Sequence, residues 1–159
     1  MKGILAEAWA RIWKWAVGWC RGGPHFIVGS PTDPYLLRWY ILPRNPLLNI
    51  YLHQFLRDDD DRALHDHPWA SLSILLAGTY REITPGGSRQ VWPGAVIFRR
   101  ATHAHRIELP GGKPAWTLFL TGPSVRTWGF HCPRGWISWR EFVKADSPGE
   151  PGPGCGESS

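Results

Sequence analysis

Seven histidines occur in this chain of 159 residues, and four of them fall in two pairs with one residue between, His65-Asp66-His67 and His103-Ala104-His105. Residues two apart on a β-strand project to the same face, so each pair aims two imidazoles at one point. Imidazole is a ligand for zinc, copper, iron or nickel, and two or three imidazoles that leave coordination positions open make a catalytic metal site. A lone H-x-H is more often a hydrogen-bonded structural pair, so the metal reading rests on the residues around it.

Those residues are in register with two longer patterns. His65, His67 and Gly78 hold places in G-x5-H-x-H-x3,4-E-x6-G, and Gly94, followed eleven residues later by His105, holds places in G-x5-P-x-G-x2-H-x3-N. In both respects the segment from Tyr51 to Phe119 resembles the cupin family. Its HDHPW string and the Arg-rich stretch before His105 are similar to those of small cupin-like proteins of bacteria and their phages. The resemblance implies an all-β fold, the cupin double-stranded β-helix or jelly-roll barrel. It also implies a metal on His65, His67 and His105.

The departures shape the chemistry. Ser71 stands at the glutamate position, Asp59 replaces the opening glycine, and Arg100 and Thr102 replace the second pattern's proline and glycine. A serine hydroxyl is a poor metal ligand, so three histidines remain, with room for water, substrate and dioxygen. That set is similar to the three-histidine iron site of the thiol dioxygenases, which are also cupins. The resemblance therefore implies a divalent transition metal, Fe(II) first and Zn, Ni or Mn as substitutes. The activity expected is that of a dioxygenase-type oxidoreductase acting on a small anionic organic substrate. The alternatives are a non-redox metal isomerase and a non-catalytic metabolite-binding or structural cupin.

Other residues have narrower readings. Arg99 and Arg106 are candidates for clamping the substrate's charge, because guanidinium matches planar anions bidentately. Alternation puts Arg99 and Arg100 on opposite faces, so at most one of the two faces the pocket. Tyr80 is a candidate proton or hydrogen-bond donor near the metal, with barrel packing as its plainer role. His103 is either a fourth ligand or an exposed or supporting residue. His53 reads as a core histidine, Asp66 as pointing away from the metal, and the run Asp58–Asp61 as a solvated loop. Pro68 and Trp69 fix a turn or fill an apolar rim. Cys132 beside His131 does not make a cysteine nucleophile, because strand neighbours face opposite ways.

Positioning such a site requires strands. Runs rich in β-branched and aromatic residues fall at 35–42, 49–56, 71–77, 79–83, 90–92, 95–99, 105–109, 116–120 and 125–131, separated by Gly, Pro, Asn and Asp clusters. With no long helix between them they imply an antiparallel barrel or sandwich. Residues 136–143 fit either a last strand or a short helix. Ahead of the strands, Leu5, Ala8, Trp9, Ile12, Trp13, Ala16 and Val17 recur at helical spacing, and Gly22, Gly23 and Pro24 end that helix. The expected organisation is an amphipathic helix at 1–22, a barrel at 23–144 and a disordered tail at 145–159.

Composition sets the outer limits. With 43% apolar and 19% charged residues the chain is globular, and its net charge of +5 comes from scattered arginines, not the clustered basic tract of a nucleic-acid binder. The eleven tryptophans are spread along the chain, which suits core packing and an oligomer interface. Cys20, Cys132 and Cys155 form no CxxC pair and are odd in number, which points away from disulfides and toward a cytoplasmic location. Glu7, Arg11 and Lys14 interrupt the first twenty residues, so these make neither a signal-peptide core nor a membrane span. The expected partner is a small-molecule substrate, with a homodimer open and neither nucleic acid nor membrane.

Overall fold

The structure is a computed structural model that describes residues 2–59, 63–144 and 147–156. In chain order the elements are α1 (Lys2–Trp19), β1 (Phe26–Ser30), β2 (Asp33–Tyr40), β3 (Asn49–Phe55), β4 (Leu64–His65), β5 (Ser71–Ala77), β6 (Tyr80–Thr84) and β7 (Gly87–Val91). They continue with β8 (Val96–Arg99), β9 (Arg106–Glu108), β10 (Ala115–Thr121), β11 (Gly129–Cys132), β12 (Gly135–Ser138), α2 (Trp139–Phe142), β13 (Val143–Lys144) and β14 (Ser147–Pro151).

One wall is a six-stranded sheet in the order β1-β2-β3-β10-β5-β8, antiparallel throughout. The facing wall consists of two three-stranded sheets, β7-β6-β9 and β12-β11-β4, joined by an antiparallel bridge between His65 and His105. Alternation along β5 buries Ser71, Ser73 and Leu75 on the inner face, while Leu72 and Ile74 face outward. The interior holds an apolar cluster of Leu36, Phe55, Leu75, Tyr80, Val91, Ile97, Ile107, Leu109 and Ala115. The β5–β6 turn depends on Gly78, whose φ is +76° and whose place for a Cβ lies 2.3 Å from the Pro114 carbonyl oxygen.

Helix α1 packs on the outer face of the large sheet, where Trp9, Trp13, Ala16 and Cys20 meet Trp39, Leu52, Leu76 and Trp116. The Trp9 indole N–H donates to the Leu76 carbonyl at 2.9 Å, which fixes the helix along the sheet. The expected stripe holds in part: Trp9, Trp13 and Ala16 are in the contact, joined by Cys20 just beyond the helix, whereas Ile12 and Val17 are exposed. The side chain of Leu5 lies outside the described residues. Among the described residues no helix is long and apolar enough to cross a membrane.

The C-terminal region departs from expectation. Residues 136–143 divide between β12 and α2, so both readings of that segment hold in part. The segment expected to be disordered from Ala145 carries β14, paired with β13, and a disulfide joins Cys155 to Cys132. A tail without apolar side chains is thus fixed covalently, a constraint that hydrophobic patterning does not register. The pairing also removes the ground for a reducing cytoplasm, since disulfides persist in oxidising compartments. Cys20 remains free, and burial pushes its thiol up to about 11.

Candidate metal centre

Each of the three histidines is placed by backbone pairing. His65 and His105 exchange N–H···O=C bonds of 2.9 and 3.0 Å, and cross-strand partners project to the same face. His67 stands two residues beyond His65, with its N–H held by the Ala101 carbonyl at 3.1 Å. The three rings lie 5.1 Å apart, centroid to centroid, in every pairing. One nitrogen from each falls within 4.8 Å of the other two, so the imidazoles converge on a volume of ionic size.

Two of the remaining ring nitrogens have an oxygen close by. The Nδ1 of His105 lies 3.2 Å from the His103 carbonyl, to which it donates when it carries the proton, leaving Nε2 for a metal. Asp59 Oδ2 lies 3.3 Å from His65 Nδ1, within ion-pair distance. Asp59 is 9% exposed, so this member of the acidic run belongs to the site and not to a solvated loop; Asp60 and Asp61 lie outside the described residues. Its position one pattern-length before His65 was visible in the sequence, but nothing local signalled that the chain folds it inward. His67 has Trp69 on one contact at 6.2 Å and Trp128 on another at 6.4 Å, both stacked. Trp69 therefore stands beside the site, and Trp128 is a site residue that the sequence did not single out.

Burial holds His67 and His105 well below the usual histidine range, with neighbouring histidines and Arg99 acting in the same direction. Both are neutral near pH 7, the state that ligates a metal. Ser71 is 3% exposed on the interior face, and its hydroxyl has no hydrogen-bond partner among the described residues. The hydroxyls of Thr117 and Thr121 on the adjacent strand are likewise buried and unpartnered. Three convergent imidazoles, two of them held neutral by burial, with buried hydroxyls beside them fit a bound transition metal with attendant water or substrate.

The other candidates are placed less directly. Arg99 is buried against Glu82, with Nε–Oε1 at 2.6 Å, and donates to the Tyr80 hydroxyl at 3.2 Å. Arg106 pairs with Glu108. Both arginines are thus held by carboxylates of the protein, and Tyr80, 1% exposed, packs in the core. Arg100 is exposed, as alternation required. Burial would raise the carboxyl of Glu82, but Arg99 and hydrogen bonds from Arg89 and Arg99 more than offset this and lower it. Glu82 also shares a second group of convergent ligand atoms with His103 and His105, and His103 Nε2 lies 3.8 Å from its Oε1.

Asp66 points away from His65, His67 and His105, its Oδ2 lying 3.3 Å from His131 Nε2. It accepts from the Gly129 N–H at 2.9 Å and the Trp136 indole at 3.0 Å, and pairs with Arg126 at 2.8 Å, tying β11 and β12 to the H-x-H segment. His53 is a buried core histidine stacked on Phe119 at 4.9 Å, as expected. Its Nε2 accepts from Arg38 Nε at 2.8 Å.

No family model and no curated protein matches the sequence. Among solved structures, a Klebsiella pneumoniae protein with a double-stranded β-helix domain aligns over 66% of this chain and 90% of that one, at 13% identity and a TM-score of 0.51. The DMSP lyase DddQ from Ruegeria pomeroyi aligns over 67% of this chain at 18% identity and a TM-score of 0.49, and the chain spans about half of its length, 55%. A cupin superfamily protein from Desulfitobacterium hafniense aligns over 61% of this chain and 84% of that one, at 18% identity and a TM-score of 0.47. Identities this low bear on fold alone, and the Klebsiella pneumoniae structure together with the sheet order gives the conclusion: the chain has a double-stranded β-helix fold.

Proposed function

We propose that this chain binds one transition-metal ion, Fe(II) first, on His65, His67 and His105, and acts as a dioxygenase-type oxidoreductase on a small anionic organic substrate. The observation that carries the reading is the convergence of three imidazoles, each set by backbone pairing, with ligand atoms within 4.8 Å of one another. When bound, such a metal supplies a redox-active Lewis acid at which dioxygen and substrate meet.

The chain's own residues do the rest. The His103 carbonyl orients His105 and accepts from its Nδ1–H, and Asp59 places a carboxylate beside the outer nitrogen of His65. Trp69 and Trp128 stack on His67 and limit the positions its ring can take. Ser71, small and uncharged where a glutamate ligand would stand, leaves coordination positions free and preserves the net charge of the metal.

The test is oxygen uptake by Fe(II)-loaded protein offered a panel of small organic acids, with His105→Ala as control. Uptake that depends on both acid and His105 supports the proposal. Stoichiometric metal without uptake would assign the same site to non-redox chemistry such as isomerisation.

A further inference from the structure

A cavity of about 360 Å³ lies beside the histidines, lined by Phe26, Arg38, Tyr40, Arg44, Trp128 and Trp139. Trp128 is the shared wall, since the ring that lines this cavity also stacks on His67 at 6.4 Å. The volume falls at the lower end of the range, about 300–1,000 Å³, for small-molecule sites.

The cavity's charge is unbalanced. Two arginines line it, and among the described residues neither Arg38 nor Arg44 lies within ion-pair distance of a carboxylate. Arg38 is rigidly held: its guanidinium carbon sits 4.8 Å from the Tyr51 ring centroid and 5.8 Å from that of Phe26, and its Nε donates to His53 at 2.8 Å. Aromatic rings and His53 thus engage its faces and one edge. The two terminal nitrogens have no protein acceptor among the described residues. A fixed fork of two donors spaced for two oxygens is the geometry that a carboxylate matches. Arg99 and Arg106, the candidates named from the sequence, are by contrast already paired with Glu82 and Glu108.

We propose that this cavity binds an aryl carboxylate, its carboxylate on the terminal nitrogens of Arg38 and its ring among Tyr40, Trp128 and Trp139, with Arg44 adding charge at the mouth. The assignment rests on the metal-centre reading for its catalytic meaning, but the anion site itself is independent of metal. Arg38 acts as a substrate-positioning residue, and Trp128 sets the distance between the bound ring and the histidines.

The test uses the full chain and titrates benzoate and benzamide, which have similar shape and differ in charge, while following tryptophan fluorescence and heat. Benzoate is expected to bind saturably and at least about tenfold more tightly than benzamide, the discrimination expected of a charged hydrogen-bonded pair. Arg38→Gln should remove that preference, and Arg38→Lys should recover little of it because a point charge lacks the fork. Equal binding of benzoate and benzamide by the unaltered protein, a comparison that needs no variant to fold, would overturn the proposal. So would full benzoate affinity in a folded Arg38→Gln protein. The same titration in His65→Ala/His67→Ala separates the two ideas: retained benzoate preference with lost metal binding supports the anion site whatever becomes of the oxidoreductase reading.

Discussion

His65 and His105 are reciprocal backbone partners across an antiparallel bridge, and this bridge joins the two small sheets of the facing wall. The chain's cross-sheet closure and its candidate metal ligands are therefore one feature. Residues forty positions apart in sequence become neighbours by strand pairing, with no adjustable loop between them and the site.

Asp59 is expected to act through His65. Removing the carboxylate leaves the ring free to rotate and its outer nitrogen less firmly protonated. Asp59→Ala should weaken divalent-metal binding by about 10–100-fold. Competition with a coloured chelator measures this, and unchanged affinity would show that the 3.3 Å contact is incidental.

Ser71 tests the alignment of the first pattern. Ser71→Glu places a carboxylate at a buried interior position that now holds an unpartnered hydroxyl. The variant should bind divalent metal more tightly and lose oxygen uptake, because a coordination position is filled. Metal affinity and oxygen uptake both left unchanged by this substitution would mean that residue 71 does not reach the ion.

Acid should destabilise the fold through His53. Burial lowers its pKa well below 6.5, and the positive charge of Arg38 lowers it further. As pH falls through about 6.5 the unfolded chain takes up a proton that the folded chain refuses, so stability is full above that pH and declines below it. His53→Gln keeps an acceptor for Arg38 but cannot titrate. Its stability, from denaturant curves at a series of pH values, should fall less steeply by up to about 1.4 kcal/mol per pH unit. Superimposable pH profiles would contradict this reading.

Much of this was legible because local rules and tertiary structure agree. The strands from 49 to 121 carry alternation that survives in the burial pattern, and the H-x-H pair sits where a period of two keeps both rings on one face. What was not legible depended on distant pairing. Asp59 sits in an acidic run that looks solvated, and only the path of the chain turns it inward. Arg38 lies on β2, outside both patterns, and becomes a cavity residue through the neighbouring β3. Cys132 and Cys155 are 23 residues apart with no motif to link them.

That disulfide carries its own expectation. Closing a loop of this length by a covalent bond contributes about 3 kcal/mol through the unfolded chain's lost freedom. Cys132→Ser should lower stability by this order and free β14 from β13, which denaturant curves and backbone amide exchange would report. Three titratable thiols in the unreduced, denatured protein would show that the bond does not form.

Metal stoichiometry tests the central claim most directly. Protein purified with Fe(II) under anaerobic conditions, freed of loosely bound ions and analysed by elemental mass spectrometry, should retain about one ion per chain. His53→Ala should retain the same, whereas His65→Ala/His67→Ala and His105→Ala should each retain almost none while keeping the wild-type circular dichroism spectrum. Full metal retention in the folded His65→Ala/His67→Ala protein would contradict the account.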